Sequence, residues 1–319
     1  MSQARYAIGV DMGGTNLRCG AVTTKGEILL LCRAAAHAMS AADEIAENIA
    51  YQVRRVEAMA QESGWGRAAG VGVAVPGPIN LKTGVVIASP HVVNWRNYAL
   101  HRRLQALLKR PVKLENDANA WALGEFWQGA ARGFKDVILL TLGTGVGGGV
   151  IVAGRIIHGK AGMAGELGHI TVDPNGPPCD CGARGCLEAY ASASGLRQML
   201  VSEPGALGAR SERDFLDRRG DFSVRMVAAA ARGGNQRALR ALASAGKHLG
   251  IAIASLINIF DPELVVIGGG IAGVLSQIRA VVEKEVRSRS ITARAGLAPI
   301  IRAALGDRAG VMGAARAAM

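Results

Sequence analysis

The sequence of 319 residues has few aromatic side chains, few cysteines and no long hydrophobic segment. Aromatic residues make up 4% and cysteines number five, which is not the composition of a disulfide-stapled secreted domain. The longest apolar helical run, Leu249–Phe260, is too short to span a bilayer and contains Ser255 and Asn258. The N-terminus enters a strand pattern at once, without the apolar region of a signal peptide. We expect a soluble cytoplasmic protein with no membrane partner.

A basic patch with interleaved aromatic residues, which is typical of nucleic-acid binding, is also missing. The net charge is +12, but the basic side chains are scattered over all predicted elements. This weak basic bias favours attraction of an anionic nucleotide, and we expect no nucleic-acid partner. Half of the residues are hydrophobic and 43 are glycine, which favours a compact α/β protein. The length is sufficient for two domains, each with its own core.

The order of predicted elements repeats once along the chain. Strands at Tyr6–Val10, Leu17–Thr23 and Glu27–Arg33 surround a Gly-rich turn, and the same pattern begins again at Val137–Leu142. The repeat predicts a duplicated lobe. Further predicted helices are 41–63, 100–108, 120–128, 189–200, 223–232, 238–260 and 271–287, and further predicted strands are 70–75, 111–115, 150–153, 155–158, 263–267 and 299–303.

The predicted boundary between the two lobes lies near residue 118. Residues 1–118 would form a small α/β lobe, and residues 119–319 a large α/β lobe that contains a loop at about 165–188. The final predicted helix, at about 310–319, could return to the first lobe.

Three Gly-rich turns could approach phosphate oxygens with their backbone N–H groups. They are Asp11–Thr15, Leu142–Gly149 and Gly268–Gly273. The first two lack the Gly-Lys-Ser/Thr of a P-loop, and only the third lies between a predicted strand and a predicted helix. The nearest acid after that turn, Glu283, is early for a ribose partner. A tight hairpin would explain one isolated turn, whereas three turns favour a nucleotide held between lobes.

The cysteine-rich loop predicts a structural metal site. Cys179, Cys181 and Cys186 form a C-x-C-x4-C cluster, and His169 stands ten residues upstream as a fourth ligand. Three thiolates and one imidazole are a tetrahedral zinc set that leaves no position for water. A redox pair or a disulfide is the alternative, but C-x-C is not the C-x-x-C of redox proteins.

Two acids flank this metal set. Glu166 precedes the histidine by three residues, and Glu188 follows the last cysteine by two. A bound metal would fix the loop so that both carboxylates converge on a ligand.

Taken together, these motifs resemble those of the ROK family of sugar kinases and repressors. The resemblance rests on Asp11-x-Gly-Gly-Thr15, Asn116-Asp117-Ala118-Asn119, Leu142–Gly149, Gly165-Glu-Leu-Gly-His169, and the cysteine set with Glu188. The turn at Gly268–Gly270 extends it over most of the chain. The resemblance implies an actin/hexokinase-like (ribonuclease H-like) fold, in which duplicated α/β lobes flank an interlobe cleft.

The resemblance also implies an ATP-dependent hexose kinase that phosphorylates the 6-hydroxyl of glucose, with Mg²⁺ as cofactor and a structural Zn²⁺. Asp117 would be the general base, although an acid after a strand is more commonly a helix N-cap. The implied sugar contacts are Asn94, Asn116, Asp117, Glu166, His169 and Glu188; a surface loop explains Asn94 equally well. The implied phosphate contacts are Gly13, Gly14, Thr15, Thr144 and Gly145, with Asp11 near Mg²⁺, Gly269 and Gly270 against the adenosine, and zinc on His169, Cys179, Cys181 and Cys186.

Other functions are compatible with the same motifs. N-acetylmannosamine, mannose, fructose or allose could replace glucose, and polyphosphate could replace ATP. A sugar-responsive repressor of the family would carry a helix-turn-helix domain before the first Gly-rich turn, and only ten residues precede Asp11. A nicotinamide-dependent oxidoreductase could use Gly268–Gly273 as its cofactor turn. Family members are usually homodimers or homotetramers, and we expect the same here.

Overall fold

A computed structural model describes residues 5–89, 92, 94–202, 213–218, 220–292 and 296–319. The chain divides into two compact units. Unit 1 comprises Met1–Gly133, Arg155–Gly165 and Ala304–Met319, and unit 2 comprises Phe134–Gly154 and Glu166–Ala303. The boundary predicted near residue 118 falls inside unit 1, and the residues of the predicted last helix belong to unit 1.

Both units contain strands and helices. The strands are β1 (Tyr6–Met12), β2 (Asn16–Thr23), β3 (Ile28–Ala35), β4 (Val71–Val75), β5 (Ile79–Asn80), β6 (Val85–Ala88), β7 (Arg96–Tyr98), β8 (Val112–Asn116), β9 (Val137–Leu142), β10 (Val146–Val152), β11 (Arg155–Ile156), β12 (Leu264–Gly268) and β13 (Ile300–Arg302). The α-helices are α1 (Ala42–Glu62), α2 (Leu100–Leu108), α3 (Asp117–Gln128), α4 (Glu188–Ala191), α5 (Ala193–Ser202), α6 (Val224–Arg232), α7 (Gln236–Phe260), α8 (Leu275–Arg289) and α9 (Ala309–Ala317).

The main sheet of unit 1 has the order β3-β2-β1-β4-β8. The first three strands form an antiparallel meander, and β1, β4 and β8 are parallel. Every residue of β4 is buried, as expected for a strand whose two faces are both covered. The apolar residues whose spacing predicts α1 all lie in the core on one side of the sheet: Ile45, Ile49, Val53, Val56 and Ala60.

Helix α9 packs against β1, β4 and α3 through backbone contacts at glycine. A Cβ on Gly72 of β4 would overlap the carbonyl oxygen of Ala314, and a Cβ on Gly9 of β1 would overlap that of Val311. Glycine at these positions lets the helix lie directly on the strands. The C-terminal segment is therefore an internal part of the unit 1 core.

The second five-stranded sheet has the order β11-β10-β9-β12-β13. An antiparallel pair, β10 and β9, is followed by parallel strands β12 and β13, as in the first sheet. The matching strand orders confirm the duplication predicted from the sequence.

Helix α7 runs through the apolar core of unit 2. Among the described residues it is the one helix that is long and apolar enough to cross a membrane. It extends well beyond the apolar run Leu249–Phe260, because Asn235 caps its N-terminus by accepting hydrogen bonds from the N–H groups of Arg237 (3.0 Å) and Ala238 (3.1 Å). Most of its apolar side chains are buried, as in the core helix of a globular protein.

Some elements differ from the prediction. Helix α2 and strand β9 have the predicted bounds, whereas Val146–Gly149 is strand rather than turn. The glycines of β10 reflect close packing, since a Cβ on Gly148 would lie 2.5 Å from Cγ of Leu167. The predicted helix 271–287 starts as a 3₁₀ turn, Gly270–Val274, before α8. The small sheet β5-β6-β7 escapes prediction because its strands have only two to four residues.

Candidate active site

The parallel strands of unit 1 bring two predicted functional acids to one edge of the sheet. Asp11 lies near the end of β1, and Asp117 directly follows β8. Because β4 separates two strands that run parallel to it, the carboxyl ends of all three meet at the same edge. Ligands of open α/β sheets bind outside this edge.

Asp11 is a half-buried carboxylate that lies between a cation and a helix. Its cross-strand partner Arg18 places a guanidinium nitrogen 3.3 Å from Oδ2, and the other nitrogen lies 3.3 Å from Asp307. Gly310 of α9 packs so closely that a Cβ there would lie 2.5 Å from Cγ of Asp11. Burial raises the pKa of Asp11, and the Arg18 charge opposes that rise. A fixed carboxylate is a donor suited to Mg²⁺. Sequence reasoning missed Arg18 and Asp307; in the β1–β2 hairpin register, Arg18 is the residue opposite Asp11.

The Gly13-Gly14-Thr15 turn is braced at its base. Gly13 donates its N–H to the carbonyl oxygen of Asn16 (2.9 Å), and Ala36 donates its N–H to that of Thr15 (3.0 Å). A Cβ on Gly13 would meet its nearest neighbour at 3.5 Å, an ordinary contact. Packing within unit 1 therefore does not demand glycine at position 13, whereas close approach of a phosphate to the backbone would.

Asn116, and not Asp117, caps α3. Oδ1 of Asn116 accepts hydrogen bonds from the N–H groups of Ala118 (2.9 Å) and Asn119 (3.1 Å), and its Nδ2 donates to the carbonyl oxygen of Gly77 (3.2 Å). Asp117 is the first helical residue, where the helix dipole favours an ionised carboxylate. Asn116 is therefore the N-cap, although Oδ1 of Asp117 also accepts the N–H of Ala118 at 2.9 Å, so both side chains serve the first turn of α3.

Glu115, which the sequence pattern did not single out, lies directly before Asn116 and Asp117. Its carboxylate is buried and lies 2.8 Å from Nε2 of His158. The hydrogen bond to Glu115 raises the pKa of His158, against the effect of burial. A charge inside a buried strand, in the Val-Lys-Leu-Glu-Asn pattern of β8, is the sequence signal for such a residue.

Asn94 is exposed, and its side chain binds the backbone of a neighbouring segment of the chain. Its Nδ2 donates to the carbonyl oxygen of Ser40 at 2.8 Å. The nearby residues His91 and Val93 lie outside the described residues. A sugar contact from Asn94 stays a prediction.

In unit 2, Glu188 reaches the turn that contains Thr144 and Gly145. Its Oε2 accepts the N–H of Val146 at 2.8 Å. A Cβ on Gly145 would overlap this same oxygen, so a larger residue there would displace the carboxylate. The turn is also tied to α5, because Ala193 donates its N–H to the carbonyl oxygen of Gly143 at 2.8 Å. The structure thus brings a predicted sugar contact and a predicted phosphate turn together.

Gly269 and Gly270 follow β12, the parallel neighbour of β9, so their turn lies at the same sheet edge as Thr144 and Gly145. Gly269 has φ +82°, and a Cβ there would overlap the carbonyl oxygen of Leu142. Gly270 has open space around it. The first glycine is required by the turn itself, and the second leaves room for a ligand.

The predicted zinc ligands are clustered. The ligand atoms of His169, Cys179, Cys181 and Cys186 all lie within 4.8 Å of one another. Nδ1 of His169 is 3.7 Å from Sγ of Cys179, and the sulfurs of Cys181 and Cys186 are 3.6 Å apart. Zn–S and Zn–N bonds of about 2.3 and 2.0 Å in a tetrahedron require separations of roughly 3.5 Å between sulfur and nitrogen and roughly 3.8 Å between two sulfurs. The residues present therefore fit zinc, and Nδ1 is the histidine nitrogen that faces the cluster.

The pKa of Glu166 is affected by its surroundings beside this cluster. Burial is the main cause that raises the pKa of Glu166; the charge of Glu188 raises this pKa further, and His169 lowers it.

The cysteine-rich loop is also held by Tyr190 of α4. The Tyr190 hydroxyl donates to Asp173 at 3.0 Å, and the Tyr190 ring stacks on His248 with ring centroids 3.6 Å apart.

The duplicated strand order and the paired Gly-rich turns define a protein of the actin/hexokinase-like two-lobe fold. The model of the ROK family matches residues 7–319, and the chain belongs to the ROK family.

Similar proteins include kinases whose length this chain covers almost fully. A glucokinase from Halalkalibacterium halodurans is 37% identical over 314 residues, which are 97% of this chain and 93% of that protein. The crystal structure of a ROK hexokinase from Thermus thermophilus superposes with a TM-score of 0.82 at 33% identity, covering 98% of this chain and 97% of that one. A ROK family glucokinase from Streptomyces griseus, in complex with glucose and AMPPNP, gives 0.80 at 32% identity, covering 98% and 99%.

A repressor is also among the similar proteins. The xylose repressor of Bacillus subtilis is 30% identical over 312 residues, which are 98% of this chain but 76% of the repressor.

Proposed function

We propose that this protein is an ATP-dependent hexose kinase that transfers the γ-phosphoryl group of ATP to the 6-hydroxyl of glucose. The observation that carries the proposal is the near-complete coverage of glucokinases by this chain, one of them solved with glucose and AMPPNP. The geometry of Asp117 supports it, because Asn116 supplies the helix cap.

Asp117 would act as the general base. Its carboxylate would take the proton of the 6-hydroxyl as that oxygen attacks the γ-phosphorus, and ADP would leave. An ionised acid at a helix N-terminus is weakly basic, but phosphoryl transfer through a loose transition state depends mostly on positioning and charge neutralisation. Mg²⁺ bound with ATP would neutralise phosphate charge. Asp11 would hold that ion, and the turns at Gly13-Gly14-Thr15 and Thr144-Gly145 would bind phosphate oxygens through their N–H groups.

Glu166, His169 and Glu188 would bind sugar hydroxyls, together with Asn116 and Asp117. Such hydrogen bonds reject analogues that lack a hydroxyl, because the polar groups of the protein are then left unpaired. The orientation of His169 suits a double role, since Nδ1 faces the cysteines and Nε2 is the nitrogen available to a sugar. Gly269 and Gly270 would lie against the adenosine.

The zinc ion would be a structural brace for the sugar-binding loop. Four protein ligands complete its coordination, so it would not activate water. Metal analysis of the purified protein tests this: about one zinc per chain is expected in the parent and none in Cys181→Ser, which should also bind glucose more weakly. A metal-free parent with full activity would end the zinc proposal.

The test of the kinase proposal is ADP release, measured with glucose, N-acetylmannosamine, mannose, fructose and allose, and with ATP or polyphosphate as donor. We expect the highest kcat/KM with glucose and ATP. Preference for another hexose would correct the substrate, and a lack of turnover with every hexose would remove the kinase proposal.

We further propose a cytoplasmic homodimer or homotetramer. Size-exclusion chromatography with light scattering would test the oligomeric state.

A further inference from the structure

Glu115 is a charged side chain in the core of unit 1. It is 3% exposed and lies in β8 directly before Asn116 and Asp117. Burying a carboxylate costs several kcal/mol unless hydrogen bonds and a counter-charge compensate. The stability of the strand would be served equally well by an apolar residue, so the reason for an acid here must be sought in what it binds.

Three groups bind this carboxylate, and each comes from a different part of unit 1. Oε1 accepts the backbone N–H of Asn116 (3.0 Å) and the side-chain amide of Asn119 (3.3 Å). Oε2 lies 2.8 Å from Nε2 of His158; because an ionised carboxylate only accepts, this ring nitrogen is the donor of the hydrogen bond. The donors thus belong to the end of β8, the first turn of α3 and the segment after β11.

Two of these bonds bracket Asp117 in the sequence. Asn116 precedes Asp117, Asn119 follows it by two residues, and both bind the same oxygen of Glu115. Asn116 in turn caps α3. Glu115 therefore ties the end of β8 to the first turn of α3 on both sides of Asp117.

His158 holds Glu115 from the opposite side. Its own loop is braced, because its carbonyl oxygen accepts the N–H of Ala164 (3.1 Å) and Leu81 donates its N–H to the carbonyl oxygen of Ala161 (3.1 Å). These bonds hold the backbone of the loop, while about a third of the His158 side chain is exposed. The imidazole is the hydrogen-bond partner of the second carboxylate oxygen.

We propose that Glu115 and His158 form a positioning pair for Asp117. The pair touches neither sugar nor nucleotide; it fixes the turn between β8 and α3 so that the general base meets the attacking hydroxyl in a reactive geometry. Displacement of a catalytic group by about 1 Å can cost up to a hundredfold in rate. This inference rests on the proposed kinase function.

The test compares His158→Ala with His158→Gln. Alanine removes the donor, whereas the glutamine amide can still donate to Glu115. We expect His158→Ala to lower kcat about tenfold with the glucose KM within about twofold of the parent, because the base is misplaced while the sugar contacts remain. His158→Gln should recover kcat to within about threefold. A purely structural role would lower Tm without this recovery of kcat per folded molecule.

Glu115→Gln provides a second, nearly isosteric variant in case His158→Ala is poorly folded. It retains one acceptor oxygen, and we expect the same loss of kcat at nearly constant glucose KM. Parent-like kcat in folded His158→Ala and Glu115→Gln would overturn the positioning pair and leave the kinase proposal intact. An inactive parent would instead remove the kinase function, so the two failures are distinguishable.

Discussion

Replacement of Gly145 by alanine directly tests the link between the Thr144-Gly145 turn and Glu188 in unit 2. The added Cβ would overlap Oε2 of Glu188 and lie 3.3 Å from its Cδ, and Oε2 already accepts the N–H of Val146 at 2.8 Å. The carboxylate must therefore move by about 1 Å to restore ordinary contact distances. That movement breaks its bond to the turn and displaces the oxygen proposed to bind sugar.

The expected effect follows from the strength of one hydrogen bond to a charged group. Such a bond contributes about 1.5 to 3 kcal/mol, which corresponds to roughly a 10- to 150-fold change in an equilibrium constant. We therefore expect the glucose Kd of Gly145→Ala, measured by calorimetry without nucleotide, to rise at least about tenfold. The absence of nucleotide matters, because a direct role of Gly145 in phosphate binding would leave this Kd unchanged.

Gly233→Ala is the matched control. Gly233 also lies in unit 2, and its nearest neighbour to a new Cβ is 3.4 Å away, an ordinary contact. This variant should bind glucose like the parent. If folded Gly145→Ala, with a parent-like circular dichroism spectrum, binds glucose within twofold of the parent, Glu188 does not link the turn to the sugar.

Three further predictions concern unit 1. Asp117→Asn should lower kcat by roughly 10² to 10⁴ with glucose affinity within several-fold, and near-normal turnover would exclude Asp117 as base. Because Glu115 raises the pKa of His158 above its usual 6.5, the stability from this pair is complete below about pH 6.5 and is lost as pH rises through the raised pKa. The Tm difference between the parent and His158→Gln should therefore be larger at about pH 5.5 than at about pH 8.5; an equal difference would contradict the pairing. Gly72→Ala should lower Tm by roughly 2 to 12 °C, since its Cβ would overlap the Ala314 carbonyl, and an unchanged Tm would show that α9 can shift at no cost.

Periodicity and turn chemistry predict much of this fold because they are local. The bounds of α2 follow from its amphipathic spacing, and the helix ends where Lys109 adopts a left-handed conformation. The run Gly147–Gly149 misleads, because glycine in a strand and glycine in a turn look alike until the neighbour that excludes a side chain is known. Here that neighbour is Leu167, about twenty residues away in sequence.

The candidate site likewise has a part that the sequence predicts and a part that it does not. The ligand set of the cysteine loop is predictable, since the spacing of its residues is local, and the structure brings all four ligand atoms together. The link from Glu188 to Val146 and the link from Glu115 to His158 span more than forty residues each, so no local pattern encodes them. A buried charge in a strand signals that a partner exists, but the partner is known only from the fold.

The return of Ala304–Met319 to unit 1 determines the order in which the chain can fold during synthesis. Gly133, the end of the first segment of unit 1, leaves the ribosome roughly 170 residues before the segment that contains α9. At about 5 to 20 residues per second, β1 and β4 wait on the order of ten to thirty seconds with the surfaces of Gly9 and Gly72 uncovered. Unit 2, whose residues are all made in that interval, can complete its core first. Chaperones that bind nascent chains would therefore meet an unfinished sheet whose last component is a small alanine- and glycine-rich helix.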